Sequence, residues 1–177
     1  MPVGVAAYKP ANSHSENEPR VFDFIGMFGI PLVPCHEFPS DAKAGFFSLH
    51  ALKDPELVAR LSSFIAAGKP TLVTDGLAKR LGDQLDLSRP NVQTVPVQGA
   101  PKSLLEIPQE QLDKMRQPLL QPFARQFRAP NRVALYLFDD GSWVIENFND
   151  QKVSVDLHGQ TCEIEARGWK YSWELTL

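Results

Sequence analysis

Three of the chain's four histidines, His14, His36 and His50, and the acids Glu16, Glu37 and Asp75 each follow closely on a short apolar run. Read as strands of an open parallel sheet, those runs end where such sheets bind ligands, in the crevice beyond the strands' carboxyl ends. Two carboxylates about 5–9 Å apart, one with a raised pKa, would fit that rim for glycoside hydrolysis. Glu37, Asp75 and Glu16 are therefore the candidate catalytic acids, with His36 as candidate base. The loop of Asn12, Ser13, His14 and Ser15 precedes a helix start and suits a small anion or a hydroxyl-rich ligand. Asn12, His14 and His50, with Trp143 from the last section of the chain, are the candidate substrate contacts.

Several of these residues also have a plainer reading. Glu16 and Glu18 favour the positive end of the helix they precede, and Asp75 caps a helix. Cys35 beside His36 suggests a thiol and its base, but neighbours on an extended segment point to opposite sides. An inert, buried cysteine is the favoured reading. The histidines lack His-x-x-x-His spacing and no Gly-rich phosphate loop occurs, so neither a metal nor a cofactor is expected.

The elements that must position these groups alternate between strand and helix. Residues 3–8 form an apolar run suited to a strand buried on both faces. A helix follows from Pro19 through Val21, Phe22, Ile25 and Phe28 to a left-handed cap at Gly29, then a strand at 30–35. A third strand at 44–50 leads to a helix that starts at the cap Asp54, buries Leu57, Leu61, Phe64 and Ile65, and stops at Gly68. A fourth strand at 70–74 turns at Asp75 and Gly76 into a short helix ending near Gly82. The run 91–97 reads as an edge strand because Pro96 cannot donate to a central ladder. A polar helix is expected from Gln109, interrupted by Pro118 and Pro122, with a linker at 128–131.

Beyond residue 131 the apolar period drops to two. Val133, Leu135 and Leu137 alternate, as do Val153, Val155 and Leu157, and Cys162, Ile164 and Ala166, with turn residues between them. The expected fold is thus an α/β layer of residues 1–128, a flavodoxin-like parallel sheet with helices on both faces, followed by a small antiparallel β-sandwich at 131–177. In the last strand Trp169, Tyr171, Trp173 and Leu175 share one face, which is expected to be core rather than a sugar platform. Tyr136 and Phe138 are expected to pack on the α/β layer.

Composition bounds the function. Hydrophobic residues make up 43% and charged residues 22%, with a net charge of −3 and no Lys/Arg stripe, so nucleic acid and membrane surfaces are not expected partners. No apolar run reaches the about 20 residues of a membrane helix. The start, Met1, Pro2, Val3, Gly4, is not a signal peptide, which leaves the compartment unknown, or cytoplasmic if the chain is full-length. Cys35 and Cys162 fall in different halves, so a disulfide between them is not expected.

The run Tyr8-Lys9-Pro10, then 22–34 and Glu37-Phe38-Pro39, resembles the α/β domain that follows the catalytic barrel in family 42 β-galactosidase-like proteins. That trimerisation domain has a fold like class I glutamine amidotransferases. The tail, with Asn147-Phe148-Asn149-Asp150 and Arg167-Gly168-Trp169, resembles the small β-domain closing such proteins. The resemblance implies an accessory module of a carbohydrate-active protein that associates with itself, since the catalytic carboxylates sit on a barrel absent from this chain. It also lacks the amidotransferase elbow: neither Gly-x-Cys-x-Gly nor Gly-x-Ser-x-Gly occurs. Two alternatives stay open, a small stand-alone hydrolase acting on glycosidic bonds at the sheet's rim and a sugar-binding module using Trp143 or Trp169.

Overall fold

In the computed structural model, residues 1–172 are described, and Trp173 and Leu175, read above as part of the last strand, lie outside the described residues. Five short strands form the parallel sheet: β2 (Val5–Tyr8), β3 (Leu32–Cys35), β4 (Gly45–Phe47), β5 (Thr71–Thr74) and β6 (Val92–Val95). Their spatial order is β3-β2-β4-β5-β6, all neighbours parallel. Counted along the sheet this is the order 2-1-3-4-5, whose switch point lies between the first strand and the third. The expected α/β layer is therefore the observed one, with β6 on the edge where Pro96 ends it.

Alternation along the strands divides the core by face. Val5, Ala7, Phe46 and Leu72 look toward α1 (Val21–Gly26) and α4 (Gln109–Leu120), with Phe24, Ile25, Phe28, Leu112 and Leu119 buried against them. Tyr8, Phe47 and Val73 look toward α2 (Leu57–Ala66) and α3 (Asp75–Leu81), where Leu61, Phe64, Ile65, Leu77 and Leu81 are buried. The helix boundaries differ modestly from expectation. The first helix begins at Val21 because Arg20 is left-handed at φ 59°, and the third strand ends at Phe47, leaving His50 in a 3-10 turn at Leu49–Lys53. Asp54 accepts from Glu56 N (2.9 Å) two residues on, an Asx turn placed before α2 rather than its cap.

The remaining strands build two antiparallel sheets. One has the order β1-β8-β9-β12, from Pro2–Val3, Val133–Phe138, Trp143–Asn147 and Trp169–Tyr171. The other has the order β11-β10-β7, from Gln160–Ile164, Val153–Leu157 and Phe127–Arg128. Leu135, Leu137, Trp143, Ile145, Val155, Leu157 and Ile164 fill the space between them. Gly4 joins β1 to β2: a Cβ there would run into the Pro31 carbonyl oxygen, which instead accepts from Val5 N at 2.8 Å. Arg116, fully buried on α4, donates to Ala129 O (2.8 Å) and faces the Phe127 ring, so α4 is fastened to the β half. Burial lowers its pKa to about 10, which still leaves it charged at neutral pH.

The facing of the last strand also differs from expectation. Trp169 is 48% exposed rather than core, because β12 pairs with β9 in the register Trp169↔Glu146. That register puts Lys170 opposite the inward Ile145 and turns Trp169 to the outer face. Tyr136, on the same outer face, is 40% exposed and only partly covered by the α/β layer.

Candidate functional site at the carboxyl edge of the sheet

At the switch point, the loop after β2 meets the turn after β4. Ser13 Oγ lies 2.9 Å from His50 Nδ1, and the His50 ring is buried against Phe22 with centroids 5.4 Å apart. Burial, with Lys9 close by, lowers the His50 pKa, so the imidazole is neutral at pH 7. Five residues beyond Ser13 along the same loop, Glu18 turns fully inward and its Oε2 accepts from Leu49 N at 3.0 Å. Its other oxygen rests against Gly76, where a Cβ would collide with it. Removal from water raises the Glu18 pKa, and the negative charges of Asp75 and Glu16 push the same way against the lowering effect of the Leu49 N–H and the Thr74 hydroxyl. Ser48, fully buried beside this cluster in sequence, leaves its hydroxyl without a hydrogen-bond partner among the described residues.

The residues singled out from sequence distribute around this edge with different partners. Asp75 opens α3 directly after β5 and accepts from Gly76 N (2.9 Å), Val97 N (3.0 Å) and Gln98 N (2.9 Å), clamping the loop that follows β6. Glu16 accepts from Arg80 Nη1 at 2.7 Å across the cleft to α3. Asn12 and His14 are exposed on the first loop. His14 lies near enough to His50 for its charge to be felt there. His36 and Glu37 are exposed in the bend after the edge strand β3, with no hydrogen bond or ion pair among the described residues. Trp143 is 8% exposed and packs in the core between the antiparallel sheets, in the opposite half of the molecule from the rim. Cys35 and Cys162 are both free thiols, each pushed up in pKa by burial.

The structure thus brings together Ser13 with His50, and Glu18 with Leu49, Gly76 and Asp75. Ser13 and Glu18 were legible in the sequence only as loop and helix-start residues. The one hint was the length of polar chain between a buried strand and an apolar helix, which left room for a side chain to fold back. Among the described residues no group of three or more His, Cys, Asp or Glu side chains is arranged to hold a metal ion. No helix of the described chain is long and apolar enough to cross a membrane.

In the β half, Asn147 is the organising polar residue. It is buried, and its Nδ2 donates to Gln151 O (2.9 Å), Glu165 O (2.9 Å) and, at 3.3 Å, Ile164 O, while its Oδ1 accepts from Asn149 N at 2.9 Å. Asn149 Nδ2 in turn donates to Asn131 O at 3.0 Å. The Asn147-Phe148-Asn149-Asp150 segment is therefore a hydrogen-bonded knot tying β9, β10 and β11 together.

That knot falls inside the matched part of the chain. Residues 125–166, from just before β7 to just after β11, match the family described as "Probable glycosyl hydrolase, C-terminal domain". No curated protein and no solved structure matches the chain. The match ties the β half to glycoside-hydrolase-related proteins.

Proposed function

We propose that this chain is an accessory part of a glycoside-hydrolase-related protein, packing and self-associating beside a catalytic domain carried elsewhere. The observation that carries the reading is the commitment of Asp75, Glu16 and Glu18 to the fold, which leaves Glu37 as the one of these four rim carboxylates with no partner among the described residues. Asp75 is held by three backbone N–H groups, Glu16 by Arg80, and Glu18 is buried on Leu49 N. A glycosidase needs one carboxyl free to protonate the leaving group and a second free to attack or to activate water. The 2-1-3-4-5 strand order and the match at 125–166 are compatible with the α/β and β pair that follows the barrel in family 42 β-galactosidase-like proteins.

The test is turnover of chromogenic galactosides, glucosides, xylosides and esters by the purified chain, with none above buffer expected. Light scattering at micromolar concentration is expected to give a homo-oligomer, and a monomer throughout removes self-association from the reading. A hydrolytic reading has one observation in its favour: Glu18, whose pKa is raised chiefly by burial, sits within electrostatic reach of Asp75 and Glu16 on the sheet's carboxyl edge. Under it Glu37, Asp75, Glu16 and His36 are the working groups, with His14, Asn12 and His50 around the substrate. Turnover that disappears in Glu37→Gln or Asp75→Asn would establish that reading and overturn the accessory one.

A further inference from the structure

The outer face of the β1-β8-β9-β12 sheet carries a small aromatic step. Trp169 stands opposite Glu146, and Tyr136, two strands away, reaches over to it. Their rings lie 22° from parallel with centroids 6.3 Å apart, and Tyr136 donates to Glu146 Oε2 at 3.0 Å. Burial and that carboxylate push the Tyr136 pKa up to about 12, so the phenol remains a donor across the physiological range. Tyr136 also forms one wall of a cleft of about 420 Å³, whose other wall is Phe22, Met27, Leu32 and Pro34 from the α/β layer. Arg20 and Asp23, paired at 2.9 Å and largely exposed, stand on that same wall.

We propose that the Tyr136–Trp169 step and the adjoining cleft form a saccharide-binding site. A pyranose has one face of C–H groups and a rim of hydroxyls. The C–H face packs on an aromatic π-face by dispersion and the ring quadrupole. The hydroxyls need mixed donors and acceptors at the edge, which Glu146, Arg20 and Asp23 provide. A protein partner fits this surface less well. Apart from Met1, Tyr136 and Trp169 are the large hydrophobic side chains exposed among the described residues, and each is less than half exposed. Two rings of at most about 250 Å² each fall well short of the about 800 Å² per partner in a stable interface. The saccharide class rests on the glycoside-hydrolase relation of the β half, whereas the shape argument stands without it.

The experiment is electrophoresis of the whole chain in native gels containing soluble galactan, xylan or mixed-linkage β-glucan. Retardation by at least one polymer is expected, with apparent affinity about tenfold weaker in Trp169→Ala and in Tyr136→Ala, and partly kept in Trp169→Phe. Circular dichroism melts of the same variants report folding, and Glu146→Gln supplies a second perturbation if an alanine variant fails to fold. Retardation by none of the polymers overturns the proposal, as does undiminished retardation of folded Trp169→Ala. A change from oligomer to monomer in Trp169→Ala would assign the step to a second copy of the chain and also overturn it. Glycoside turnover would sink the accessory reading while leaving this binding result untouched, so the two failures are told apart.

Discussion

Two buried titratable side chains, Glu18 and His50, behave oppositely with pH. Glu18 is harder to ionise in the folded chain than in the unfolded one, so between the ordinary glutamate range and its raised value the folded state holds the extra proton. Its contribution is complete below that range and is lost as pH rises through the folded pKa. Glu18→Gln, which keeps an acceptor for Leu49 N, is expected to match or exceed the parent's stability at pH 7 and to flatten this falling limb in urea titrations run from pH 4 to 8. Glu18→Ala leaves that buried N–H unpaired and is expected to cost about 1–3 kcal/mol. His50 has a lowered pKa, so the unfolded state binds its proton first as pH falls. Stability from this residue is present above the ordinary histidine value and is lost below it. Imidazole proton resonances followed by NMR are expected to show His50 titrating below about 6.5, and a midpoint above that value contradicts the buried, neutral ring.

Among the elements, the turn at Asn147–Asn149 has a clear energetic consequence. Asn147→Ala removes the donor to three carbonyls and the acceptor for Asn149 N, and a loss of about 2–4 kcal/mol is expected. Denaturant melts measure this, and a loss below 0.5 kcal/mol would show that water replaces those bonds at no cost. Alternation and turn residues made most of this region readable: the strands at 133–138, 153–157 and 160–164 follow the apolar period of two, whereas the strand at 143–147 was not among the alternating runs. The facing of Trp169 was not readable, since a one-residue change of register exchanges the two faces and the register is fixed by pairing with Glu146, not by the strand's own pattern. The inner parallel strands β2 and β4 were legible for the converse reason, being apolar and buried on both faces. Glu18 reads from the sequence as a charge at a helix start because its burial depends on Leu49, in the 3-10 turn after β4, and on Gly76, in the first turn of α3. Asp75 was legible as a residue at a strand–helix junction, but its hold on Val97 and Gln98 depends on the neighbouring strand β6.

At the scale of the whole molecule, the chain crosses between its halves at both ends of the α/β layer. Pro2 and Val3 pair with Phe138 and Leu137, and Phe127 and Leu120 are buried in the β core. A fragment of residues 131–177 lacks an edge strand from each antiparallel sheet and is expected to remain unfolded by circular dichroism, while the whole chain melts in one calorimetric transition. Two resolved transitions would show the halves to be independent. The β1–β8 pairing also has a bearing on synthesis. Residues 2 and 3 are made before their partners at 137 and 138, which follow more than 130 residues later. At about 5–20 residues per second, the opening segment waits on the order of ten seconds before that edge can close. Through this interval the nascent chain carries an unsatisfied tether beside the first strand of its central sheet, a stage at which a chaperone that shields extended backbone would find its substrate.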